Sequence, residues 1–82
     1  IITRLPPGGR ITPHADEGTY ARRFVRHQLM LSCLPGNVFR CGSEELALAT
    51  GDLFWFNNAI EHEVVNNSAD DRIAMVIDCR IE

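Results

Sequence analysis

Turn-forming residues break this chain into segments too short for long helices. Pro6-Pro7-Gly8-Gly9, Glu17-Gly18, Pro35-Gly36-Asn37, Gly42-Ser43, Thr50-Gly51-Asp52, Asn57-Asn58 and the run from Asn66 to Asp71 recur along the whole length. Each offers side chains that close turns rather than continue a regular element. The stretches between them are short, apolar and rich in β-branched and aromatic residues. Such segments, with almost no helical periodicity, predict an all-β sandwich or barrel. Strands are expected near 9–13, 23–33, 37–41, 45–49, 52–56, 60–66 and 71–79. Glu44 to Ala49 has helix-forming composition, but its length and flanking glycines favour a strand.

At 82 residues the chain makes one small domain, residues 1–82. A chain of this size buries only about 60–65% of its unfolded surface, so a metal, a partner chain or flanking sequence would help to stabilise it. It begins at Ile1 rather than Met, which reads as a fragment of a longer protein. Net charge is −3, and all 8 basic residues are arginine. A surface that tracks phosphates usually mixes arginine with lysine, so nucleic-acid binding is not expected. Cys33, Cys41 and Cys79 are an odd number without CxxC spacing, and they read as small buried residues in a reducing cytoplasm. Asn66-Asn67-Ser68 matches a glycosylation sequon, but nothing else suggests secretion. No signal peptide and no apolar run long enough for a membrane span is present.

Two strands alternate informatively. In "FVRHQLMLSC" Phe24, Arg26, Gln28, Met30 and Ser32 share one face, and Val25, His27, Leu29, Leu31 and Cys33 share the other. In "RIAMVIDC" Ile73, Met75, Ile77 and Cys79 form one apolar face, opposite Arg72, Ala74, Val76 and Asp78. An arginine beside a small alanine, on a mostly buried strand, needs an anion. Asp70, Asp71 or a distant carboxylate is the plain choice of partner.

His14 and Asp16 are spaced i, i+2, so both side chains project to one side of an extended chain. Imidazole plus carboxylate suits a divalent ion, and two histidines with one carboxylate are the facial set of non-haem Fe(II) sites. Of the other two histidines, His27 lies on the apolar face of its strand and reads as a packed core residue. His62, at the head of a strand, is the candidate second imidazole. A polar surface turn is the alternative reading of His14 and Asp16. Arg72 lies ten residues beyond His62, on what a tight turn would make the adjacent antiparallel strand. A cation beside a metal site is what a dicarboxylate co-substrate would need.

An HxD pair, a distal histidine and an arginine ten residues on, within an all-β frame, resemble the Fe(II)- and 2-oxoglutarate-dependent dioxygenases. More narrowly the chain resembles the aspartyl/asparaginyl β-hydroxylase domain family. The stretches that carry the resemblance are "LPPGGRITPHAD", "PGNVFRCG", "GDLFWFNNAIEHEVVNNS" and "DRIAMVID", which together span nearly the whole chain. The resemblance implies a double-stranded β-helix, the cupin-like jelly roll, with His14, Asp16 and His62 as iron ligands. It implies that Arg72 pairs with the distal carboxylate of 2-oxoglutarate and that the Thr3 hydroxyl reaches the same group. Arg26 matches an inward arginine near the iron-chelating carboxylate. Gln28 stands where the family commonly has histidine and would donate an uncharged hydrogen bond.

The function implied is hydroxylation of an amino-acid or peptidyl (Asp/Asn-like) C–H bond, with 2-oxoglutarate and O₂ as co-substrates. The alternative is a cupin-like metal- or ligand-binding module without oxygen chemistry, which would have no need of Arg72. In a jelly roll the face of Arg26, Gln28 and Arg72 would line the cavity. The apolar faces would then point outward, to be covered by flanking helices or by a homo-oligomer. Trp55 and Phe54 are expected in the core.

Overall fold

A computed structural model describes residues 1–16 and 24–80. The expected turn at Glu17-Gly18 and the expected strand start at residue 23 lie outside the described residues.

Eight strands form two four-stranded antiparallel sheets. They are β1 (Ile2–Leu5), β2 (Arg10–His14), β3 (Phe24–Ser32), β4 (Asn37–Cys41), β5 (Glu44–Ala47), β6 (Leu53–Phe56), β7 (His62–Asn66) and β8 (Arg72–Arg80). One sheet has the order β1-β8-β3-β6 and the other β2-β7-β4-β5. Consecutive strands thus mostly switch sheets, and the result is the expected jelly roll. Seven strands match the sequence expectation; β1, the four residues "ITRL", was not anticipated. No described helix is long and apolar enough to cross a membrane. His62 and Arg72, expected on adjacent strands, instead lie on opposite sheets, since the Asn66–Asp71 turn carries the chain across the sandwich.

That turn is built around Asn66, which is fully buried. Its amide donates to the Leu5 and Asp70 carbonyls, at 2.9 Å each, and its side-chain oxygen accepts from the Ser68 amide and hydroxyl. One side chain thereby ties β1 and β7 to the connection into β8. Gly36 packs against the same turn with φ +110°, and a Cβ there would lie 2.8 Å from the Asn67 carbonyl. Only glycine meets both conditions.

The apolar core is Met30, Cys33, Phe39, Leu48, Phe56, Val64 and Ala74. Phe39 stands at its centre, with ring centroids 4.7 Å from Phe56 and 5.1 Å from Phe54. Burying a side chain of that size is worth about 1.5–3 kcal/mol. Cys33 belongs to this core although strict alternation put it on the opposite face from Met30. A register shift between Met30 and Ser32 inserts one residue and reverses the parity beyond it. Burial pushes the Cys33 thiol above its ordinary value.

The inward face of the β1-β8-β3-β6 sheet sets buried polar side chains among the core residues Met30, Phe56 and Ala74, and its back is apolar. Arg72 and Gln28 are buried between the sheets, whereas Ile77 and Cys79 are exposed on the back. Trp55 is on the back too, 66% exposed, which corrects its expected core position. Its register partner is His27, and directly opposed residues share a face. His27 is correspondingly half-buried behind the sheet rather than a core residue. The back of the other sheet is charged: Glu63 lies between Arg10 at 2.9 Å and Arg40 at 2.6 Å. Those two guanidiniums hold the Glu63 carboxyl below its usual range.

Asn66→Ala is expected to destabilise the domain by about 2–3 kcal/mol, because buried groups of three segments lose their partner at once. Urea unfolding followed by circular dichroism measures it; a loss below about 0.5 kcal/mol, the range of an ordinary surface substitution, would mean that the turn is not held by this side chain.

Candidate metal centre

His14 ends β2 and His62 begins β7, and the two are directly paired across the ladder. Between Ile11 and His14 the register shifts by one residue. Regular pairing from Ile11 would set Pro13 opposite His62 and turn His14 outward. Pro13 has no N–H to give to a ladder, so a bulge is the natural outcome, and it brings His14 inward. The ring centroids of His14 and His62 are 4.4 Å apart. Asp16 follows just past the strand, its backbone N–H donating to the Asn58 carbonyl at 2.8 Å. Asn58 is itself buried, so the β6–β7 loop fixes the segment that carries the carboxylate.

The three sequence-predicted ligands therefore converge. One donor atom from each of His14, Asp16 and His62 lies within 4.8 Å of the others. His14 Nδ1 lies 2.9 Å from the Thr12 carbonyl and His62 Nδ1 lies 2.8 Å from the Ile60 carbonyl. A carbonyl only accepts, so each Nδ1 serves as the donor and Nε2 is the ring nitrogen left to face a metal. His62 is 4% exposed, packed against Phe56 with centroids 4.9 Å apart. His14 is more open. The Asp16 Oδ2 atom is buried without a hydrogen-bond partner. Two imidazoles and a carboxylate oxygen without a hydrogen-bond partner form a donor set suited to a divalent cation.

Behind Asp16 stands an arrangement that the sequence alone did not reveal. Arg26 makes a bidentate pair with Asp78 on β8, at 2.9 and 3.0 Å, and its third nitrogen lies 3.6 Å from Asp16 Oδ2. Arg26 thus orients the candidate ligand and is itself held by Asp78. The signal for Asp78 was its place on the inward face of β8, but the partner became visible only once Arg26 and Asp78 proved to be directly opposed.

Arg72 sits at the other end of the inward face of β8, 2% exposed. No carboxylate pairs with it among the described residues, and Asp71, a proposed partner, pairs with Arg4 instead at 2.7 Å. One guanidinium nitrogen donates to Gln28 Oε1 at 2.9 Å, while Nε has no partner. Gln28 therefore accepts from the guanidinium rather than meeting a ligand carboxylate on its own. Burial pulls Arg72 below its ordinary pKa, yet an arginine keeps its charge. Ala74, the next residue on this face, has no exposure and takes little space beside it. Thr3 lies opposite Ala74, exposed, with its hydroxyl 3.5 Å from the Ala74 carbonyl.

The sequence profile of aspartyl/asparaginyl β-hydroxylases matches residues 1–81. The chain belongs to this family. Among solved structures, the chain is similar to the TT1209 protein of Thermus thermophilus, with TM-score 0.72 and 28% identity over 96% of this chain and 69% of that one. It is also similar to a predicted oxalate decarboxylase from Thermotoga maritima, with TM-score 0.75 and 19% identity over 98% of this chain and 64% of that one. These two likenesses establish the cupin-like fold of the chain. No curated protein matches the chain.

Asp78→Asn is expected to weaken divalent-metal affinity roughly 10- to 100-fold, the usual cost of losing an outer-sphere support. Competition with a chromophoric chelator measures it; unchanged affinity would show that Arg26 holds Asp16 without help from Asp78.

Proposed function

We propose that this domain is an Fe(II)- and 2-oxoglutarate-dependent hydroxylase acting on an amino-acid or peptidyl C–H bond of Asp/Asn type. The observation that carries the proposal is Arg72. A buried cation with one neutral hydrogen bond and no counter-ion among the described residues is costly, and an anion entering beside it offsets that cost. A metal-binding module without a dicarboxylate has no use for it.

His14, Asp16 and His62 would hold the iron, which supplies the activation of oxygen that protein side chains lack. The remaining work belongs to the chain. The Thr12 and Ile60 carbonyls keep both imidazoles in the tautomer that binds metal. Arg26 aims the Asp16 carboxylate, and its position also suits the carboxylate of 2-oxoglutarate nearest the metal. Arg72, steadied by Gln28, would receive the distal carboxylate, with the Thr3 hydroxyl on the same inward face. The Phe39 and Phe56 rings keep water from the back of His62. Cys33, Cys41 and Cys79 are all free thiols, which supports a cytoplasmic setting. The apolar back of the β1-β8-β3-β6 sheet supports a second copy or further chain covering it.

Anaerobic titration with Fe(II) and then 2-oxoglutarate tests the proposal by visible absorption. A weak charge-transfer band is expected only when both are present. Arg72→Ala should leave iron affinity intact and weaken 2-oxoglutarate binding roughly a hundredfold or more, as loss of a buried charge partner does. His62→Ala should abolish tight iron binding, whereas Asp16→Ala should weaken it. Iron binding without the band would leave a metal-binding module, and turnover by a His62→Ala protein would overturn the ligand set.

A further inference from the structure

The hydroxylase reading leaves the substrate's chemistry open, and the inward face of the β2-β7-β4-β5 sheet narrows it. His14 is opposite His62, His62 is opposite Cys41, and Cys41 is opposite Glu44. Directly opposed residues share a face, so the four form one row across the sheet, with neighbours about 5 Å apart. The two metal-ligand candidates stand at one end of the row. Cys41 and Glu44, at the other end, enter a cleft of about 560 Å³ between the β5 and β6 edges.

The size of this cleft is that of a small-ligand site, and so is its chemistry, apolar walls with a few polar groups. Phe39, Phe54, Phe56 and Trp55 supply aromatic walls and rim. Phe39 and Phe56 are also the rings that pack against His62, so the wall of the cleft backs directly onto the candidate metal centre. Among the described residues, Glu44 is the only ionised side chain lining it. No ion pair engages that carboxylate among the described residues, and it stands roughly 10 Å, two strand spacings, from His62. Aromatic faces and a lone carboxylate attract a cation and repel an anion.

We infer that this cleft is a substrate subsite for a basic side chain, an amine or guanidinium lying over the phenylalanine rings and paired with Glu44. The inference rests on the hydroxylase reading for its role: the bound side chain would present a neighbouring part of an amino acid or peptide to the metal centre. Binding in the cleft itself requires neither iron nor oxygen.

Trp55 is the one tryptophan of the chain and borders the cleft from the β6 edge, its side chain on the back of the sheet, so its emission is a nearby reporter of binding there. The experiment titrates the metal-free protein with blocked amino acids, N-acetyl arginine and lysine methylamides, against the norleucine and glutamate counterparts. The basic probes are expected to change Trp55 emission saturably and the other two to leave it unchanged. Glu44→Gln, at an exposed position, should weaken the basic probes about tenfold or more without lowering the melting temperature. Equal binding of the norleucine probe, equal affinity in Glu44→Gln, or no binding by any probe would each overturn the inference. Because neither iron nor 2-oxoglutarate is present, a protein that fails the charge-transfer test can still pass this one, and the reverse also holds.

Discussion

A guanidinium sealed between two sheets, with one neutral hydrogen bond to steady it, is the constraint around which the other features arrange themselves. Desolvating a charge costs several kcal/mol unless something answers it. Around Arg72, the small Ala74 is the next residue on the inward face, Gln28 fixes one nitrogen, and Nε has no partner. The same inward face of β8 ends at Asp78, whose carboxylate holds Arg26 against the candidate metal ligand Asp16. One strand therefore carries a buried cation at one end and, at the other, an anion that organises a second cation.

Much of this was legible in the residues. The turn chemistry marked seven of the eight strands, and the alternation of "RIAMVIDC" announced a strand with its charge turned inward. The HxD spacing, His62 and Arg72 are local patterns, and local patterns survive translation into three dimensions. What stayed hidden depends on pairing across the sheets. Trp55 looked like core because aromatic residues usually are, yet registration against His27 put it behind the sheet. The Asp71 that seemed to neutralise Arg72 is drawn off by Arg4, a residue 67 positions away. No periodicity contains that information.

Two irregularities do more than the regular ladders to set the chemistry. A strand fixes which residues share a face, and one inserted residue exchanges the two faces beyond it. At Thr12-Pro13 this exchange turns His14 toward His62; near Leu31 it seals Cys33 into the core beside the buried cation. Both occur where the chain must change allegiance from a ladder to a site. The histidine rings then need only backbone carbonyls to settle their protonation.

The contrast between the outer faces of the two sheets has a consequence for how the domain behaves in water. One back carries interleaved arginines and glutamates, and the other presents Leu53, Trp55 and Ile77. The folded domain is in this sense an amphiphile, wetted on one side only. Dilute salt screens the charged side, while strongly hydrated anions such as sulfate raise the cost of leaving the apolar side in contact with solvent. Ionic conditions therefore act on the two sides separately.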